Sequence, residues 1–128
     1  MKYLDNSLLI GWISYALCLD PADYQREMRR LKVENPTPFL IEGKPATTHF
    51  FHLKEHKGES SVAIVCLGDC GDRDPISVAT LLVHEAVHIW QEECEGMGED
   101  CPGNEIEAYA IQRISTNLMR AYAEQTRG

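Results

Sequence analysis

Two histidines stand four residues apart in the run His84-Glu85-Ala86-Val87-His88. On a helix that spacing projects both rings from one face, one turn apart, where they can share a metal ion. Glu85 falls beside that face. Its carboxylate can reach a metal-bound water without joining the ligands, as a general base must. Two imidazoles suit zinc, which lowers the pKa of a bound water to about 7 and so makes a hydroxide nucleophile available at neutral pH. Asp74 and Pro75 offer an N-cap and a first helical residue upstream, and Leu81, Leu82, Val83, Val87 and Ile89 surround the motif with apolar side chains. That context predicts a motif buried against a core, where imidazoles and a carboxylate are costly unless paired or metal-bound.

Two histidines leave a zinc ion short of protein ligands, and the next helical segment offers Glu105 and Glu107. With Asn104 as N-cap, Glu107 stands at the third helical position, where a capping box would occupy its carboxylate. Glu107 also leads the apolar face of Ile111, Ile114 and Leu118, which periodicity turns toward a core. The two signals conflict. The capping argument makes Glu105 the preferred third ligand and Glu107 the alternative.

His84-Glu85-Ala86-Val87-His88, a linker, and then Glu105-Ile106-Glu107-Ala108-Tyr109 resemble the gluzincin class of HExxH zinc metallopeptidases over roughly a third of the chain. In that class a Glu on the helix after the motif is the third ligand, which the resemblance puts on Glu105. Four residues later the class has an Asp or Asn that supports a zinc-binding His, and here that position is Tyr109, whose hydroxyl is the group available for the task. The extension Ile89-Trp90-Gln91, with residues 107–112, resembles small phage and prophage proteins of metallopeptidase type.

Several elements must position these groups. Residues 4–19 place Leu8, Trp12, Tyr15 and Leu19 at helical spacing, and Asp20-Pro21 starts a second helix to about residue 33, before Pro36 and Pro38. Residues 39–41, 46–53 and 61–67 are short, β-branched or aromatic segments, bounded by Gly43-Lys44-Pro45 and His56-Lys57-Gly58-Glu59, and predict a small antiparallel sheet. The motif helix follows from residue 75 to about 95, then a Gly- and acid-rich loop, then a helix capped by Asn104 and running through Arg120 or slightly beyond. His49 and His52, three apart on a strand, fall on opposite faces, so at most one faces the motif. A strand beside the motif helix could add a peptide substrate along its edge; residues 63–67 are the candidate, with an ordinary core strand as the default.

The whole chain bounds the reading. Its 128 residues, 44% of them hydrophobic, suit one domain. A net charge of -8 argues against nucleic acid as a partner, and the run Arg26, Arg29, Arg30, Lys32 reads as a solvated helix face. Five cysteines, at 18, 66, 70, 94 and 101, are an odd number in a chain that needs no disulfide staples, which fits a reducing cytoplasm. Cys66 and Cys70 read as structural, and Cys94 and Cys101 as free thiols flanking a loop. The apolar stretch 8–19 follows Asp5 with only Lys2 as a basic flank, which argues against a signal peptide, and is too short and too polar at its ends to span a bilayer. Together these readings predict an α+β mini-zincin that hydrolyses peptide or protein substrates, with Zn2+ on His84, His88 and a glutamate, and Glu85 as base. The rival is a non-catalytic zinc-binding or protein-interaction module on the same scaffold.

Overall fold

A computed structural model describes residues 1–7, 13–55 and 58–127. The order is β1 (Ile13–Cys18), α1 (Pro21–Arg30), β2 (Ala46–Glu55), β3 (Gly58–Leu67), α2 (Pro75–Met97) and α3 (Asn104–Thr126). The fold is α+β, but its sheet is mixed: in the order β1-β3-β2, β1 runs parallel to β3 and β2 antiparallel to it.

The first helix expected from the sequence, over residues 4–19, is therefore a strand at Ile13–Cys18 and irregular at 4–7, while Leu8 and Trp12, like His56 and Lys57 of the expected turn, lie outside the described residues. The physical reason is burial on both faces. Ile13, Tyr15 and Leu17 face α2 and α3, whereas Cys18 joins Tyr24 and Met28 of α1, so no polar face exposes the two-residue period. Side chains such as Leu17 and Ile64 are fully enclosed, worth about 1.5–3 kcal/mol each relative to solvent exposure. The sheet thus lies between α1 on one side and the α2–α3 pair on the other.

The two edges of the sheet differ. Along the outer side of β1 the N-terminal segment adds an antiparallel bridge, Tyr3 to Ala16, with the Leu4 amide donating to the Tyr15 carbonyl at 2.8 Å. No described segment pairs with the outer side of β2. The segment 39–41 is no strand; Phe39 instead packs edge-on against Tyr24, with ring centroids 5.8 Å apart. Among the described residues no helix is long and apolar enough to cross a membrane.

Candidate metal centre

Helix α2 sets the rotation of the motif. Asp74 caps it, accepting from the Ser77 amide at 2.8 Å, and Pro75 fills the first turn without wasting a donor. Gly98, at φ +70, ends it in the left-handed conformation that glycine adopts without penalty. Between these ends Leu82, Ala86 and Ile89 are driven into the core.

That rotation splits the motif. Glu85 sits at the core boundary, only 6% exposed, while His84 and His88 are on the exposed side of the helix. The expected burial of the whole motif is thus corrected to burial of the carboxylate alone, because the residues at 82, 86 and 89 define a core face that turns 84 and 88 outward.

The two imidazoles converge. Their Nε2 atoms are 3.1 Å apart, with ring centroids at 4.8 Å and planes at 75°. This separation suits an N–H···N hydrogen bond between neutral rings. It also suits a shared ion: at zinc–nitrogen distances of about 2.0–2.1 Å, the two nitrogens subtend about 100°, near tetrahedral. His88 Nδ1 lies 3.3 Å from Gln91 Oε1, an acceptor that favours the proton on Nδ1 and leaves Nε2 free to ligate. Sequence reasoning did not assign Gln91 this part, although its place three residues after His88 puts it on the same helix face.

Glu85 is tied to the sheet. The Thr48 hydroxyl donates to its Oε2 at 2.5 Å, joining the motif helix to the open-edged strand β2. Thr48 was missed because no local spacing links positions 48 and 85. A cleft of about 300 Å³ lies between these elements, bordered by Lys44, Thr48, Phe50, His84, Glu85 and His88. The strand beside this cleft is β2. The candidate 63–67 belongs to β3, the central strand, whose backbone bonds are taken on both sides by β1 and β2.

The two histidines of β2 face apart, as their spacing predicts. His52 points to α2, with Nε2 3.2 Å from Glu92, while His49 is buried on the α1 side, with Nε2 2.9 Å from the Phe39 carbonyl.

The third ligand is not gathered with the imidazoles: among the described residues no group of three His, Cys, Asp or Glu side chains is placed to hold a metal ion. Glu105 is exposed at the start of α3. The capping box expected for Glu107 is absent, since the N-cap is Gly103 rather than Asn104, and no side chain caps the helix. Glu107 faces α2 instead and accepts from Trp90 Nε1 at 2.9 Å. Its place on the face of Ile114 and Leu118 follows the apolar periodicity, and the argument that set it aside no longer holds. Tyr109 is 60% exposed and borders a separate surface groove with Ile106 and Arg113.

The described cysteines are all free thiols. Burial pushes the Cys94 and Cys70 thiols up, with Glu107, Glu99 and Glu93 adding to the effect at Cys94. Cys66 is pushed up by its hydrogen bond with Cys18 and by burial. Such thiols hold their protons at neutral pH and make poor nucleophiles.

The pair of imidazoles and the neighbouring carboxylate therefore fit two donors and a base, with the third donor still to come. Comparison with protein-family models, with curated proteins and with solved structures finds no match to this chain.

Proposed function

We propose that this protein is a zinc-dependent metallopeptidase of mini-zincin type. The observation that carries the reading is the convergence of His84 and His88 Nε2 at 3.1 Å beside a buried glutamate, in a cleft bordered by an open strand edge. A zinc ion held there would lower the pKa of water to about 7 and polarise the peptide carbonyl. Glu85 takes the proton from the attacking water and passes it to the leaving amine. Thr48 fixes one carboxylate oxygen, which orients the base without neutralising it. The outer edge of β2, which no described segment pairs, orients the substrate by main-chain hydrogen bonds, keeping its carbonyl beside Glu85. As third donor Glu107 is the candidate whose side chain faces α2, but it is held by Trp90 on the buried side of that helix and would have to leave this contact and reorient to join the exposed imidazoles.

The test is cleavage of a peptide library by zinc-loaded wild type and by Glu85→Gln at matched zinc content. The variant keeps the shape of the side chain and loses its basicity, so turnover is expected to fall about 100- to 10,000-fold with zinc retained. Equal rates would refute the role of Glu85. Absence of cleavage by the zinc-loaded wild type favours the second reading, a non-catalytic module, which is supported by the outward position of Tyr109 and by the fact that no described residue joins the imidazoles as a third donor.

A further inference from the structure

Among the described residues that border the cleft beside His84 and Glu85, the lysine is Lys44, and it is exposed. The chain delivers it there by a tight turn. The Lys44 amide donates to the Ile41 carbonyl at 2.9 Å, and Gly43 between them takes φ +82, as the third position of a type II turn requires. Among the described residues Lys44 has no ion-pair partner, a state it shares with Arg29, Lys32 and Arg73, while Lys2, Arg26, Arg30 and Arg113 are each paired with a carboxylate. The acidic side chain bordering the cleft, Glu85, is buried and held by Thr48. On α2, Glu92 is engaged by His52. The cleft border thus carries two groups of opposite charge, a carboxylate held by Thr48 and an exposed ammonium, with exposed Glu42 in the same turn as Lys44.

The remaining border is apolar in part: Ile41 is 58% exposed and Phe50 is half-buried. A volume of about 300 Å³ is at the small end for a ligand cleft, room for one or two side chains rather than a folded partner. Lys44 and Thr48 are four residues apart, at most about 13 Å of extended chain. A group read by Lys44 therefore lies within about four residues of the bond presented to Glu85.

We propose that this cleft selects peptides bearing a carboxylate near the scissile bond, with an apolar neighbour, and that Lys44 is the residue that reads the carboxylate. The inference rests on the metallopeptidase reading for the phrase "scissile bond" and on the cleft alone for the charge preference. The carboxylate is either an Asp or Glu side chain or a free C-terminus, and the same ammonium serves both.

The test uses labelled octapeptides of Ala, Ser and Leu with a single Glu, Gln or Lys stepped through the sequence, each made with a free and with an amidated C-terminus. They are titrated by fluorescence anisotropy against zinc-loaded Glu85→Gln protein, which binds without turnover, and against the metal-free chain. Glu peptides are expected to bind about two- to fivefold more tightly than their Gln counterparts, an advantage that shrinks at high salt. Lys44→Glu in the same background reverses the order in favour of the Lys peptides. If the advantage follows the free C-terminus alone, the carboxylate is terminal; if it follows the stepped Glu in amidated peptides, it is a side chain. Equal affinities for Glu and Gln peptides of both C-terminal forms, or a preference unchanged by Lys44→Glu, overturn the inference. A chain that binds zinc and cleaves peptides while ignoring their charge loses this inference and keeps the proposed activity. One that binds no zinc loses the activity, and its charge preference still reports on Lys44.

Discussion

Thr48→Val removes the one hydroxyl that the structure places on Glu85 while keeping the shape of the side chain. Glu85 is 6% exposed, so water cannot fully replace the lost donor. Loss of a hydrogen bond to a charged group costs about 1.5–3 kcal/mol. For 128 residues the unfolding entropy is about 0.27 kcal/mol/K, so the midpoint should fall by about 6–11 °C. Thr48→Ser keeps the hydroxyl, loses one half-buried methyl, and should cost under about 1 kcal/mol. Glu85→Met replaces a buried carboxylate by an apolar side chain of similar length and should be neutral or stabilising. In that background Thr48→Val has no carboxylate to strand, and its cost should drop below about 0.5 kcal/mol. Urea unfolding of the four proteins of this cycle, in chelator so that metal binding does not add its own stabilisation, gives the coupling directly. A coupling energy below about 0.5 kcal/mol would refute the claim that Thr48 holds the base.

His84→Ala and His88→Ala should each abolish zinc binding measured by elemental analysis, and Gln91→Ala should weaken it about 10- to 100-fold by freeing the His88 ring; full zinc content in both histidine variants sinks the metal site. Glu107→Ala should lower zinc affinity and shift Trp90 fluorescence, while Glu105→Ala leaves both near wild type; a titration in which only Glu105→Ala loses zinc returns the ligand role to Glu105. Arg30, with a further contribution from Tyr3, holds the Glu27 carboxyl below its ordinary value near 4.5. A lowered folded-state value stabilises above the unfolded one and is lost as pH falls through it, so wild type should lose stability from about pH 5 downward and Glu27→Gln should lose less, as read by urea unfolding across that range.

The parts of this molecule that were legible in the sequence are those fixed by short-range chemistry. Asp20-Pro21 and Asp74-Pro75 start helices where they should, because a side-chain acceptor followed by a residue without an amide proton solves the end of a helix locally. The end of α2 was placed near residue 95; Gly96 stays helical and Gly98, with φ +70, stops the helix three residues later. Helix α3 runs to Thr126, extending the expected end at Arg120 or slightly beyond, since Ala121 continues the buried face and nothing after it breaks a helix. β1 was not legible. A strand buried on both faces carries no alternation, and Tyr15 and Leu19 sit at helical spacing as easily as Ile13, Tyr15 and Leu17 sit at strand spacing. The parallel pairing of β1 with β3, the donation from Thr48 to Glu85 and the approach of α2 to residues 41–50 across the cleft depend on segments far apart in the chain, and no spacing rule spans them.

Where Glu85 sits bears on the choice between enzyme and binding module. Two exposed imidazoles one turn apart can hold a metal wherever a helix surface is free, and stability gains nothing from a carboxylate beside them. Burying that carboxylate has a desolvation cost, which the single Thr48 hydroxyl offsets only in part. A module that merely binds zinc or a partner would be as stable, or more so, with an apolar residue at position 85. The carboxylate makes physical sense where its basicity is used, at the junction between imidazoles that can hold a metal and a strand edge that can hold a peptide. The arrangement fits the pattern in which an active site keeps a group that the fold alone would discard.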